Sequence, residues 1–205
     1  MIIYRDGETS DLNDLIHLHR SSGVQGILSK LTPRTLGEYY YLPALRSNSN
    51  IVKVAFNREI KKVVGLLIIT PFPNAIPKPS INLAIKVAIN IFLKSIVEPT
   101  LIVRIRNYFK CKSYLKKISL QRVQNAHELQ MLIIDSNFQS HGIGHQLLNI
   151  LENPILSNSL ILVQTQDSRA QNYYQKFGFK IIQTFGMPKT SLFLLARKKP
   201  KTNAF

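Results

Sequence analysis

Two glycines one residue apart mark the place where this chain can hold an anion. The stretch Gln139-Ser140-His141-Gly142-Ile143-Gly144-His145 joins an apolar run to one with helical spacing. The first turn of a helix presents backbone N–H groups that have no partner inside the helix, together with a partial positive charge. Such a turn can cradle a diphosphate, and glycines at 142 and 144 keep side chains away from approaching oxygens. Taken alone, the pattern is equally that of a plain strand–helix turn. Groups able to move protons lie on either side. Glu128 and His127 open the apolar run, and Tyr174 lies downstream. Each has a blander reading: a solvated charge at a strand end, an exposed histidine beside a loop, an aromatic packing a helix onto a sheet. His141 and His145 suit phosphate better than proton transfer, and Glu38 is placed to contact a substrate. No metal-ligand cluster is visible, and the single cysteine, Cys111, excludes an internal disulfide and a cysteine-rich zinc site.

The elements that must position these groups follow from periodicity. Ile2–Tyr4 reads as a short strand, and Leu12, Leu15, Ile16 and His19 recur at helical spacing after Ser10, giving a helix over 11–21. Thr32-Pro33 opens a second helix. Ile51–Phe56 and Val63–Thr70 are β-branched runs around a charged stretch, the pattern of an antiparallel pair. Leu129–Ile134 reads as a strand, Gly142–Glu152 as a helix, Leu160–Val163 as a buried strand, and Ser168–Phe177 as a helix ended by Gly178. Phe179–Thr184 and Ser191–Ala196 pair around Gly186-Met187-Pro188. The basic end of the chain, 198–205, reads as a frayed tail. Strand pairs mixed with strand–helix units predict an α/β sheet with helices on both faces, in one domain over 1–205.

Two signatures in order carry a family resemblance. Gln139-x-x-Gly142-x-Gly144 resembles the Arg/Gln-x-x-Gly-x-Gly/Ala acyl-CoA motif of the GNAT superfamily of N-acetyltransferases. About 25 residues on, Asp167-Ser-Arg-Ala170-Gln-Asn-Tyr-Tyr174-Gln-Lys-Phe-Gly178-Phe179 resembles that family's second signature, commonly Asn-x-x-Ala-x-x-Leu-Tyr-x-Lys-x-Gly-Phe. Asp167 stands where Asn is commoner and Tyr173 where Leu is. The resemblance covers roughly 1–70 and 127–197. It implies a mixed, mostly antiparallel GNAT-like sheet with a splayed strand pair. Acetyl-CoA would be the co-substrate, with no metal. Leu132, Ile133 and Ile134 would lie along its pantetheine arm, and the amides of Gln139, Ser140, His141, Gly142, Ile143, Gly144 and His145 would hold its pyrophosphate. Asn172 and Tyr174 would lie beside the thioester, with Tyr174 protonating the sulfur. Glu128 lies fourteen residues before Gly142, the spacing of the glutamate base in the histone-acetyltransferase branch, with His127 as the alternative base. The implied activity is transfer of acetyl to a primary amine by direct attack. A small molecule or amino sugar is favoured, with a protein or peptide amine as the alternative.

Residues 71–126 fall outside the resemblance and read as a helical, basic, amphipathic insertion. Prolines 71, 73, 77 and 79 make its start extended. In 80–97 the polar residues Asn82, Lys86, Asn90 and Lys94 form one narrow stripe in an otherwise apolar run, too short and too interrupted to span a bilayer. Of the formal charge of +16, more than half sits in this segment, where ten Lys or Arg face one acid, Glu98. Three uses compete. The helices can cover their own sheet or a homodimer contact; they can dock on an anionic membrane surface through 80–120; or they can bind nucleic acid, for which no motif is visible. A membrane-surface scaffold of the same fold without turnover is therefore the second functional class. The N-terminus shows no signal peptide, and a cytoplasmic protein, peripheral at the inner membrane face, is the expected location.

Overall fold

The computed structural model describes residues 1–23, 26–72, 80–119, 125–153, 156, 159–187 and 190–197. β1 (Ile2–Asp6) leads through a 3-10 turn into α1 (Leu12–Ser21). Asp11, not the expected Ser10, organises that turn: its carboxylate accepts the Glu8 amide at 2.8 Å and is gripped by the Arg5 guanidinium. α2 (Pro33–Leu36) begins at Thr32, whose hydroxyl accepts the Thr35 amide. It runs through a π-helical turn, Gly37–Tyr41, into α3 (Leu42–Arg46). Pro43 lies just inside α3 and has no N–H to donate, and the widened turn ahead of it absorbs the missing bond.

β2 (Ile51–Asn57) and β3 (Lys62–Phe72) form the antiparallel pair, and β4 (Ala126–Ile134) pairs with β3 from Phe72↔Ala126 to Gly65↔Ile134. β5 (Leu160–Thr165) is the one strand parallel to its neighbour β4. β6 (Lys180–Phe185) and β7 (Leu192–Arg197) complete a seven-stranded sheet in the order β1-β2-β3-β4-β5-β7-β6. This is the mixed, mostly antiparallel sheet that the sequence predicted. The frayed tail assigned to 198–205 lies outside the described residues, as do the insertion's prolines at 73, 77 and 79.

Each face of the sheet has its own core. On one side α6 (Ile143–Leu148) and α7 (Ser168–Lys176) pack through Ile143, Leu147, Leu148 and Tyr174 onto Val64, Leu67, Leu129 and Val163. On the other side α1 to α3 pack through Leu15, Leu18, Leu36 and Tyr41 onto Val54, Leu66, Ile68 and Ile133. The helix expected over 142–152 is shorter than that: α6 ends at Leu148 and a 3-10 turn carries the chain to Glu152. α7 stops as predicted, with Gly178 in the left-handed region at φ 80 and its amide bonded back to the Gln175 carbonyl.

The segment 71–126 holds two helices, α4 (Ile81–Val97) and α5 (Thr100–Ser119). α5 covers the far half of the sheet, where Cys111 and Leu115 pack on Leu162, Leu192 and Leu194. α4 lies against the α1–α3 layer through Val87 and Ile91. Asn90 also points inward, where its Oδ1 accepts the Thr32 amide. The opposite face of α4, with Ile81, Ile85, Ile89, Phe92 and Ile96 on one stripe, is exposed. Among the described residues, no helix is long and apolar enough to cross a membrane.

His19 makes the α1 core sensitive to acid. It is buried, bonds the Tyr41 hydroxyl through Nδ1 at 2.7 Å, and burial with Arg20 nearby pushes its pKa down to about 4. The unfolded chain takes up that proton near 6.5 and the folded one only near 4. Stability is therefore whole above pH 6.5 and is lost as pH falls towards 4, by up to about 3 kcal/mol. Urea midpoints measured from pH 7 to pH 4 should show this slope, and His19→Gln should flatten it.

Candidate active site

β4 and β5 stay together only from Ala126↔Leu160 to Leu129↔Val163, and beyond that point they part. Leu129 is also where β4 makes a bulge: Ile68 pairs with Met131 and Ile69 with Leu129, leaving Gln130 extra. Bulges increase local twist and end pairing. From Met131 to Ile134, β4 is paired with β3 on one side and, among the described residues, has no strand on the other, so a row of peptide groups faces the opening. Leu132 and Ile134 turn their side chains towards the α6–α7 core, while Ile133 is buried on the opposite face.

The opening leads to the glycine loop. Ser140 at φ 65 and Gly142 at φ 76 both sit in the left-handed region, which curls the loop into the first turn of α6. Gln139 braces this curl through Nε2 to the Ile134 carbonyl, and the His141 ring bonds the Gln139 carbonyl at 2.8 Å. The two glycines serve different ends. A Cβ on Gly142 would meet nothing within 4 Å, so that residue is needed for its backbone angle and leaves open space before the Ile143, Gly144 and His145 amides. A Cβ on Gly144 would instead lie 2.7 Å from the Tyr173 hydroxyl.

Tyr173 is the residue that sequence reasoning passed over, because the family pattern has Leu there. Its hydroxyl is buried against Gly144 with no hydrogen-bond partner among the described residues. An orphaned hydroxyl beside a helix N-terminus fits a phosphate-bearing ligand. Tyr174 faces the core, 6 % exposed, with its ring on Phe179 and Tyr173, and burial lifts its phenol well above the usual range. Asn172 is exposed. His145 stacks against Phe177 at 5.1 Å.

Glu128 lies on the other face, towards α1–α5. It is 3 % exposed and clamped: Lys112 of α5 donates to both carboxylate oxygens, at 2.9 and 3.2 Å, and Gln164 of β5 donates to Oε1. Burial works against the charge of Lys112, but the carboxylate outweighs it and lifts the ammonium above its ordinary pKa. The same ammonium sits 5.5 Å from the Tyr108 ring centroid. Burial, with Tyr41 and Glu128 adding to it, pushes the Tyr40 phenol well above its usual range, and Thr70 is the direct β3 partner of Glu128. His127, next in the strand, points to the opposite face, and burial lowers its pKa. Glu38 pairs with Arg34 at the surface. Among the described residues no group of His, Cys, Asp or Glu is placed to hold a metal ion.

Comparison with known proteins bears on this arrangement. A family profile described as "Acetyltransferase (GNAT) domain" matches residues 93–186, a span that includes β4, the glycine loop, β5 and α7. The profile and the fold together support the GNAT superfamily. They likewise support an acyltransferase. No curated protein matches the sequence. Solved structures share the GNAT fold at low identity. A histone acetyltransferase HPA2 and related acetyltransferase from Corynebacterium glutamicum aligns at TM-score 0.60 and 12 % identity, covering 99 % of each chain. A mosquito arylalkylamine N-acetyltransferase like 5b aligns at 0.59 and 17 %, covering 96 % of this chain and 99 % of its own. The PaiA N-acetyltransferase of Thermoplasma acidophilum, solved in complex with coenzyme A, aligns at 0.55 and 18 %, covering 97 % and 99 %. In this chain, then, the opening between β4 and β5 separates a glycine-loop side from a Glu128 side.

Proposed function

We propose that this protein transfers the acetyl group of acetyl-CoA to a primary amine of a small molecule, with Glu128 as base and Tyr174 as acid. The observation that carries the reading is the parting of β4 and β5 directly ahead of a left-handed glycine loop. Acetyl-CoA supplies the activated acyl thioester. The peptide groups of Leu132, Ile133 and Ile134 would pair with its extended arm as an added strand does. The amides from Gln139 to His145 would hold the diphosphate, with Tyr173 joining them. On the far side Glu128 would take the proton from the acceptor amine, and Tyr174, which keeps its proton at neutral pH, would give one to the departing sulfur. Positioning across the opening supplies the rest of the rate. Calorimetric titration with coenzyme A, and coenzyme A release from acetyl-CoA with a panel of primary amines, test this directly. A folded protein that takes up no coenzyme A would end it.

We further assign the outer face of α4 to an anionic membrane surface. Ile81, Ile85, Ile89, Phe92 and Ile96 recur on one side of the helix, and Phe92 is 67 % exposed. Phe109 and Ile102 add exposed apolar surface on α5. A helix normally turns such a stripe inward. Lys86 and Lys94 flank it, and the one acid of these helices, Glu98, is engaged by Lys30 and Arg104. A second copy would bring two cationic hairpins face to face, whereas each base near anionic lipid adds about 1 kcal/mol of attraction. The full chain should therefore sediment with phosphatidylglycerol vesicles and not with phosphatidylcholine ones. Ile85→Glu with Phe92→Glu should abolish that and leave turnover of a soluble amine intact. Unchanged pelleting of this variant, or a dimer in light scattering that it dissolves, would give the face to another partner.

A further inference from the structure

Among the described residues, the Glu128 face of the sheet holds three buried polar atoms without a hydrogen bond of their own: the Tyr40 hydroxyl, the Thr70 hydroxyl and Oε1 of Gln164. Thr70 stands opposite Glu128 in the strand pair, Gln164 donates to Glu128, and Tyr40 belongs to the helical layer packed on that same face over Ile68 and Met131. Thr70 is 0 % and Tyr40 3 % exposed, so neither is satisfied by bulk solvent. Folded proteins leave few buried polar atoms unmated, and a cluster of three beside one carboxylate calls for a ligand that mates them.

The chemistry of the three atoms restricts that ligand. The Gln164 amide nitrogen is committed to the carboxylate, which fixes the orientation of the side chain and leaves Oε1 able only to accept. The two hydroxyls can donate or accept. A carboxylate on the ligand could not donate to Gln164, and it would face Glu128. A second ammonium would meet Lys112, 2.9 Å from Glu128. A hydroxyl group both donates and accepts and carries no charge. We propose that the acceptor is a small monoamine whose amino group is flanked by hydroxyls, of the amino-sugar or amino-alcohol class, with Tyr40, Thr70 and Gln164 seating those hydroxyls beside Glu128. Lys112, from α5, is then part of the acceptor pocket: it holds the carboxylate in place and rejects polycations. The proposal rests on the acetyl-transfer reading and adds the substrate class to it.

The test is coenzyme A release by the full chain with glucosamine, with cyclohexylamine as the ring without hydroxyls, and with spermidine as the polycation. Glucosamine should exceed cyclohexylamine in kcat/KM by about tenfold or more, because a site built to bond a hydroxyl discriminates strongly against its loss. Thr70→Val and Tyr40→Phe should each collapse that ratio several-fold by slowing glucosamine alone. Since both amines are measured on one preparation, the ratio is insensitive to how much of a variant is folded. A ratio near one in the wild type, a ratio unmoved by both variants, spermidine as the best acceptor, or coenzyme A bound with no turnover of glucosamine would each overturn the proposal. Failure to bind coenzyme A at all would instead remove the acetyl-transfer reading beneath it.

Discussion

Glu128→Gln is expected to lower kcat by about a hundredfold or more while leaving coenzyme A affinity within twofold. The magnitude is that of a positioned general base removed from a proton transfer. The substitution keeps the shape of the side chain, and its amide oxygen can still accept from Gln164 or Lys112. What disappears is the negative charge. Lys112 then keeps a positive charge without its counter-ion, so some stability is lost too. The side chain of Lys112 is 30 % exposed, which holds that loss to about 1–2 kcal/mol rather than the 3–5 kcal/mol of a fully buried broken pair. A companion variant separates the two effects. Glu128→Gln with Lys112→Met removes both charges and should recover the urea midpoint without recovering kcat. Wild-type kcat in the single variant would remove Glu128 from the chemistry, and rescue of kcat by the pair would reduce its role to structure.

Gly142→Asp should weaken coenzyme A binding by about a hundredfold. Residue 142 sits at φ 76, where a side chain costs roughly 1–2 kcal/mol, though Asp and Asn tolerate that region better than most. Nothing lies within 4 Å of the new Cβ, so the fold survives. The carboxylate, however, lands before the first-turn amides of α6, where a diphosphate must come. Two unit charges a few ångströms apart near a protein surface repel by about 4 kcal/mol, less after screening. Gly142→Asn carries the same backbone strain without the charge and should cost no more than about tenfold. Calorimetry on the three proteins reads the series. Equal affinity in all three would mean that this loop does not hold the diphosphate.

How much of this was written in the sequence depends on whether a feature is local. The β2–β3 pair, the stop at Gly178 and the helix cap at Thr32 were legible because turn and cap chemistry is set by neighbours in the chain. The glycine loop was legible for the same reason: glycines at 142 and 144 between an apolar run and one with helical spacing mark a helix start. Contacts across space were not legible. The pairing of Glu128 with Lys112 joins α5 to β4, and no spacing rule connects them. Asn90 belongs to a stripe whose polar character points outward by the usual logic, yet a single amide at Thr32 draws it in and leaves the apolar stripe outside. Tyr173 stood out only as a departure from the family's Leu, because its neighbour, the bare Cα of Gly144, has no side chain to signal the fit.

The extra residue in β4 decides which titratable neighbour faces α5. Leu132 and Ile134 look towards α6, and strict alternation back along the strand would send Glu128 the same way and offer His127 instead. One residue of slack at Gln130 reverses the odd–even rule between the two halves of the strand. A carboxylate therefore stands on the α5 side and an imidazole on the other, which under the proposed reaction makes the choice of base a matter of the backbone and not of the side chains themselves.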